Sequence, residues 1–271
     1  MKDGKEVFDL KDRVVLVTGG SGGLGRGFCE ILAAFGADIA LTADKNVKGA
    51  QETAEMVKRL DRKAVAIQAD VSSPEDVERM IQKTLDEFGR IDILVNNAAI
   101  NSGPSKIADM RIEDWDKVLK VNLRGAFLCT RAVLPHMLSQ GSGNIINIAS
   151  VKGLRTFREI GEEMPIPNYS VSKAGMIMLT KETAVQYARE GIRANCIAPG
   201  WHRGTQLSDR WRAGSWDKEK YERYEGGILR ATAMGRRGDP DELKGLIVFL
   251  ASDASSYITG QVLTSDGGIC V

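Results

Sequence analysis

Short apolar runs alternate along the whole chain with longer amphipathic stretches, and few folds accommodate that rhythm. Val14–Val17, Ile39–Thr42, Val65–Ile67, Ile91–Val95, Asn144–Ile148, Arg193–Ile197 and Gln261–Thr264 read as strands. Between them Gly25–Phe35, Lys48–Leu60, Glu75–Phe88, Glu113–Asn122, Leu123–Ser139, Ser172–Glu190 and Pro240–Leu250 read as helices. Ser73, Pro74 and Glu75 supply an N-cap and first turn to the third of these. Strands separated by helices require right-handed crossovers, and hence a parallel sheet covered on both faces. The expected fold class is α/β, a doubly wound parallel sheet.

At roughly 100–200 residues per domain, 271 residues suit one large domain or two small ones. No repeat, linker or low-complexity segment divides them. One domain over 1–271 is expected, with the irregular stretch Gly200–Ala233 as its main insertion. With 37 Lys+Arg against 36 Asp+Glu the net charge is +1, which gives no general pull towards nucleic acid or an anionic membrane. Cys29, Cys129, Cys196 and Cys270 form no close pair and no CxxC, and His136 and His202 are the only histidines. That pattern argues against a disulfide framework and against a metal centre. The polar start Met-Lys-Asp-Gly-Lys-Glu holds no signal-peptide core, and no run of about 18 apolar residues occurs, so a cytoplasmic location is expected.

The first chemical motif follows the first strand: Val17-Thr18-Gly19-Gly20-Ser21-Gly22-Gly23-Leu24-Gly25. Glycines permit a sharp turn, and amides at a helix N-terminus can meet a pyrophosphate. Asp44, 19 positions after Gly25, closes the second strand, where a carboxylate can accept hydrogen bonds from ribose hydroxyls.

The second constellation is Asn122, Ser150, Tyr169 and Lys173. Tyr169 and Lys173 stand at i and i+4, so on a helix they share a face. A tyrosine pKa of about 10 makes a poor base at neutral pH, and a nearby ammonium favours the phenolate. Ser150 lies at the carboxyl end of an apolar strand, where open α/β sheets hold their ligands.

With these motifs the chain resembles the short-chain dehydrogenase/reductase family from about Lys11 to Gly268. The matching pieces are Thr18-Gly19-x-x-x-Gly23-x-Gly25, Asp70-Val71, Asn96-Asn97-Ala98, Asn122, Ser150, Tyr169-x-x-x-Lys173, Pro199-Gly200 and Asp266-Gly267-Gly268. The resemblance implies a single Rossmann-type domain, a homotetramer, and hydride transfer between a nicotinamide and a secondary alcohol or ketone. It implies Tyr169 as proton donor or acceptor, Lys173 on the nicotinamide ribose, and Ser150 on the substrate oxygen. It further implies that Asn122 holds a water linking Lys173 to solvent. Gly19, Ser21, Gly23, Leu24, Gly25, Asp44, Asp70, Val71, Asn97, Pro199 and Gly200 would join Tyr169 and Lys173 in holding the cofactor.

Two departures stand out. Most members set the serine and tyrosine closer; here 19 positions separate Ser150 from Tyr169, and the extra residues fall in Thr156–Pro167. Thr205 lies one position beyond the place of the threonine that touches the nicotinamide carboxamide in many members. The glycine loop is uncharged, and the anionic Asp44 should repel a 2′-phosphate while Lys45 could attract one. NAD is the expected cofactor, with NADP the alternative.

For the substrate, the segments at 197–201 and 243–252 are similar to those of gluconate 5-dehydrogenase and related sugar-acid or polyol members. Trp201, Trp211, Trp216, Tyr221 and Tyr224 suit sugar faces, and Arg210 and Arg212 suit carboxylates. Lys152, Arg155 and Arg203 follow the two strand ends that would flank the substrate, so three cations are expected to converge on an acidic sugar derivative. Two other readings remain. A 3-oxoacyl-thioester reductase would use the same tetrad but should be basic, to meet an acidic carrier protein. A nucleotide-sensing regulator would need no Tyr169–Lys173 pair.

Overall fold

The computed structural model describes residues 4, 6–157, 160, 165–204 and 217–271. Seven strands form one parallel sheet: β1 Val14–Val17, β2 Asp38–Ala43, β3 Ala64–Gln68, β4 Ile93–Asn96, β5 Gly143–Ile148, β6 Ile192–Pro199 and β7 Val262–Ser265. Their order across the sheet is β3-β2-β1-β4-β5-β6-β7. The chain winds outward from β1 to β3, returns, and lays β4 against the free side of β1. That reversal opens a crevice at the carboxyl ends of β1 and β4, the place where doubly wound sheets hold ligands.

Alternate residues of each strand face opposite ways, so each strand feeds two cores. Val15 and Val17 join Ile39, Leu41 and Ile93 on one face, beneath α1 (Gly23–Ala34), α2 (Val47–Lys58) and a late helix at Lys244–Ala251. Leu16, Ala40, Leu94 and Ile145 face the other way, beneath α3 (Pro74–Phe88) and two later helices. Burial on both faces explains why the strands read as unbroken apolar runs rather than alternating ones.

Helix α4 (Ile112–Leu119) passes through a π-helical turn, Lys120–Arg124, into α5 (Gly125–Gln140). The expected break at Asn122–Leu123 is thus a widened turn inside a continuous helix. Helix α6 spans Pro167–Tyr187, starting five residues before the expected Ser172 because Pro167 occupies its first turn. This places Tyr169 on the helix with Lys173. The stretch Gly200–Ala233 was expected to be irregular, yet it contains α7, Lys218–Ala231. Only Tyr224, Gly227 and Ile228 are buried there, so the helix carries little apolar periodicity. It is supported instead by the Asp217 cap and by Lys218–Glu222 and Glu219–Arg223 pairs. The helix expected over Pro240–Leu250 divides into a 3-10 turn, Pro240–Leu243, and α8, Lys244–Ala251. Among the described residues no helix is long and apolar enough to cross a membrane.

Candidate active site

The glycine loop leaves β1 through Thr18, whose hydroxyl donates to the Val95 carbonyl and accepts from the Asn97 and Ala98 amides at 3.0 and 3.1 Å. Asn97 Nδ2 donates back to the carbonyls of Thr18 and Gly19, at 2.9 and 3.1 Å. The turn is thereby pinned to the end of β4. Gly19 and Gly23 have φ of +69° and +52°, a left-handed backbone that glycine adopts without strain. A Cβ on Gly25 would collide with the Gly19 carbonyl oxygen and lie 2.6 Å from Asn97 Nδ2. The loop is wrapped too closely for any other residue. No side chain caps the first turn of α1, so its amides face the crevice with Ser21 and Leu24 beside them.

Asp44 is the first residue beyond β2, exposed and on the crevice wall beside Lys45, while Ala43 before it is buried. Asp70 and Val71 line the same wall beyond β3. The Asp70 carboxylate accepts from the Ser72 amide at 2.8 Å, and its own amide donates to Asp76, so this carboxylate also shapes the turn.

The tetrad gathers on the other side of the crevice. Ser150 lies two residues past β5, and its hydroxyl accepts from the Lys152 amide at 3.2 Å to begin a 3-10 turn. Lys173 is buried, and its ammonium donates to the Ile148 carbonyl at 2.6 Å, with Nζ 5.6 Å from the Tyr169 ring centroid. Burial pushes the lysine down to about 8. Burial pushes the Tyr169 phenol up to about 12, while its hydrogen bond with Ser150 pulls the other way. The sequence pairing suggested that Lys173 alone would bring the phenol down. In the protein by itself desolvation outweighs that attraction, because both groups have lost water and the ammonium is turned to a carbonyl.

Asn122 sits in the π-turn, a feature common at functional sites. Its Oδ1 accepts from the Ile100 amide at 2.8 Å, and its Nδ2 donates to the Ile100 carbonyl and to Ser172 Oγ at 2.9 and 3.1 Å. Asn122 therefore clamps the segment after β4 to the helix that carries Tyr169 and Lys173. Two supporting asparagines, Asn168 and Asn147, escaped the sequence reading. Asn168 donates to Ser102 Oγ and the Asp114 carbonyl, fixing the start of α6. Asn147 Oδ1 accepts from Nδ2 of Asn96, its register partner on β4, at 2.8 Å, and Asn147 Nδ2 donates to Thr180 Oγ1 at 2.8 Å. An asparagine directly before Tyr169 was a signal for the first; the second shows only once the strands are paired.

On the substrate side, Pro199 ends β6 and Gly200 follows it against the crevice, and a Cβ on Gly200 would lie 2.7 Å from Asp266 Cα. Trp201 follows, its indole N–H donating to the Tyr224 hydroxyl at 2.9 Å and its ring meeting Phe157 edge-on at 5.0 Å. Phe157, Ile160 and Ile166 of the lengthened Ser150–Tyr169 connection are buried with Tyr224 and Ile228. The extra residues described there serve as a floor behind Tyr169 and Trp201. Lys152 reaches the crevice with Nζ 5.8 Å from the Trp201 ring centroid, and burial lowers its pKa to about 8.

The expected convergence of three cations is corrected. Arg155 is exposed, its guanidinium 5.3 Å from the Phe157 ring centroid, and it does not line the crevice. Arg203 is exposed in the turn after Trp201, likewise away from the crevice. Each finds an aromatic face or water rather than a cavity. Thr205, Arg210, Trp211, Arg212 and Trp216 lie outside the described residues.

One cavity of about 1010 Å³ joins these parts, from the glycine loop, Asp44 and Asp70 at one end to Ser150, Tyr169, Lys173 and Trp201 at the other. It is a large cleft by the standard of ligand sites, with room for an extended dinucleotide and a second molecule. A family profile described as enoyl-(acyl carrier protein) reductase matches residues 19–270. A 3-oxoacyl-[acyl-carrier-protein] reductase of Synechocystis sp. is 38% identical over 96% of this chain and 98% of its own. The crystal structure of a short-chain type dehydrogenase/reductase from Mycobacterium marinum superposes with a TM-score of 0.89 at 34% identity, covering 98% of each chain. The chain belongs to the short-chain dehydrogenase/reductase family. A gluconate 5-dehydrogenase from Burkholderia cenocepacia J2315, solved with NADP and tartrate, matches with a TM-score of 0.87 at 34% identity, again over 98% of each chain.

Short-chain dehydrogenases are oxidoreductases that use nicotinamide cofactors, and this chain's crevice fits one. The Gly19–Gly25 cradle, which a Cβ would fill, suits a pyrophosphate. Asp44 would meet the adenosine ribose, Asp70 and Val71 the adenine, and Lys173 the nicotinamide ribose.

Proposed function

We propose that this short-chain dehydrogenase interconverts a secondary alcohol and a ketone on a small acidic sugar derivative, with NAD as its preferred cofactor. When bound, the nicotinamide supplies or accepts the hydride. The Ser150 hydroxyl holds the substrate oxygen, and the Tyr169 hydroxyl exchanges the proton on it. Lys173, anchored on the Ile148 carbonyl, places positive charge by the phenol. Asn122 keeps the helix carrying both groups in register with the end of β4.

Lys152 carries the substrate reading. Among the described residues no carboxylate pairs with its half-buried ammonium. A cation withdrawn from water without a counter-charge is costly, and an anionic group on the substrate offsets that cost through a charge-assisted hydrogen bond. Trp201 beside it offers a face for a sugar ring. Asp44 supports NAD, since its carboxylate suits two ribose hydroxyls and repels a 2′-phosphate. The name of the Synechocystis relative supports a second reading, reduction of a 3-oxoacyl thioester.

Exposed Phe127 on α5 and Val171, Met178 and Val185 on α6 support assembly into the homotetramer expected of the family. The test of function is NAD(P)H absorbance with each nucleotide against gluconate, xylitol and an acetoacetyl thioester. Turnover of gluconate with NAD is expected. Turnover of the thioester alone, or a preference for NADPH, overturns the reading.

A further inference from the structure

Arg237 is almost wholly buried, yet it lies outside the crevice. Its Nε and Nη2 grip both oxygens of Glu225, and its remaining nitrogen, Nη1, is buried with no hydrogen-bond partner among the described residues. A forked ion pair withdrawn from water at the expense of an orphaned donor is a poor way to gain stability. It is a good way to fix direction, because a guanidinium and a carboxylate meet in one plane.

What it directs is the substrate wall. Glu225 and Tyr224 are neighbours on α7, and the Arg237 guanidinium carbon lies 5.7 Å from the Tyr224 ring centroid. The Tyr224 hydroxyl takes the indole N–H of Trp201. The main chain one residue past Arg237 joins the same wall: the Gly238 amide donates to the Trp201 carbonyl at 3.0 Å, and the Arg203 amide donates to the Gly238 carbonyl at 2.9 Å. Side chain and main chain of one short segment thus tie α7 to the loop after β6 from two sides. Helix α7 needs such a tie, since only three of its residues are buried.

We infer that Glu225 and Arg237 are positioning residues for the substrate, acting through Tyr224 to hold Trp201 opposite Ser150. The inference rests on the Ser150–Trp201 end of the crevice being the substrate's place. It does not depend on which alcohol or ketone binds there.

The double variant Glu225→Leu/Arg237→Met replaces the pair with apolar side chains, which avoids leaving either charge buried alone. The chain is labelled with 5-fluorotryptophan, and the resonance of Trp201, one of four tryptophans, is assigned from the Trp201→Phe spectrum. In the double variant, with the fold intact by circular dichroism, that resonance should shift or broaden. KM should rise roughly tenfold or more with kcat and cofactor affinity nearly kept. The swap Glu225→Arg/Arg237→Glu should recover part of the loss. An unchanged Trp201 resonance overturns the inference, and so does a shifted resonance with an unchanged KM. KM is read with whichever of gluconate, xylitol or the acetoacetyl thioester the wild type turns over. Failure of gluconate alone counts against the sugar-acid reading and leaves the positioning role to be judged on the other two.

Discussion

Replacing Lys152 with methionine keeps an unbranched chain of similar length against Trp201 and removes only the charge. If the ammonium meets a substrate carboxylate, the lost charge-assisted hydrogen bond is worth about 1.5–3 kcal/mol. At about 1.4 kcal/mol per decade this is a fall of roughly 10- to 150-fold in kcat/KM for the acid, and little change for its neutral polyol analogue. The pH profile gives a second signature. Burial takes Lys152 from its ordinary 10.5 to about 8, so in the free enzyme it is charged below that pH and neutral above it. The limb from Lys173, also near 8, is common to both compounds, so it is the ratio of kcat/KM for the acid to that for the polyol that should fall about tenfold per pH unit above this point. In Lys152→Met that ratio should no longer change with pH. The sign of the stability effect follows from the same shift. Between about 8 and 10.5 the folded state binds fewer protons than the unfolded one, so stability from this residue rises with pH across that window and is lowest below it. Lys152→Met should therefore be no less stable than wild type at neutral pH, and a melting curve checks this. Equal losses on acid and polyol, or an acid-to-polyol ratio that still falls with pH after the substitution, would refute the assignment.

Tyr169→Phe keeps the ring and removes the oxygen that exchanges the proton. Stopped-flow and steady-state assays should show kcat lower by about a hundredfold or more with cofactor affinity kept, and retention of more than about a tenth of kcat would remove the role. Asp44→Ala should weaken NAD relative to NADP by roughly 1–3 kcal/mol in calorimetric titration; an unchanged ratio of affinities denies Asp44 the ribose hydroxyls. Met178→Lys with Val185→Glu places charges on the exposed stripe of α6 and should lower the mass seen by light scattering below that of a tetramer. A wild-type chain that is already monomeric refutes the assembly.

How far the sequence reads depends on how local the physics is. The glycine loop and the Tyr169–Lys173 pair are legible because each is set by a few successive residues: a backbone that only glycine can follow, and one turn of helix. The strands read well because burial on both faces leaves them continuously apolar. Helix α7 did not read, since its buried side is three residues wide and its other supports are surface charge pairs.

The cations show the limit most sharply. Lys152 and Arg155 stand three positions apart in one short loop, and the sequence offers no reason to send one into the crevice and the other away from it. The separation is decided by aromatic rings brought from elsewhere: Trp201 from the end of β6 lies by Lys152, and Phe157 draws Arg155 outward. The Glu225–Arg237 pair has the same character, because it exists only once α7 has folded back onto the turn before α8. The phenol of Tyr169 follows the same rule. Its lysine neighbour is visible in the sequence, but the burial that outweighs it is the sum of every chain segment packed around the site. Chemistry that depends on bonded spacing can be read from residues alone. Chemistry that depends on desolvation belongs to the fold, and in this crevice that includes the charge of Lys152.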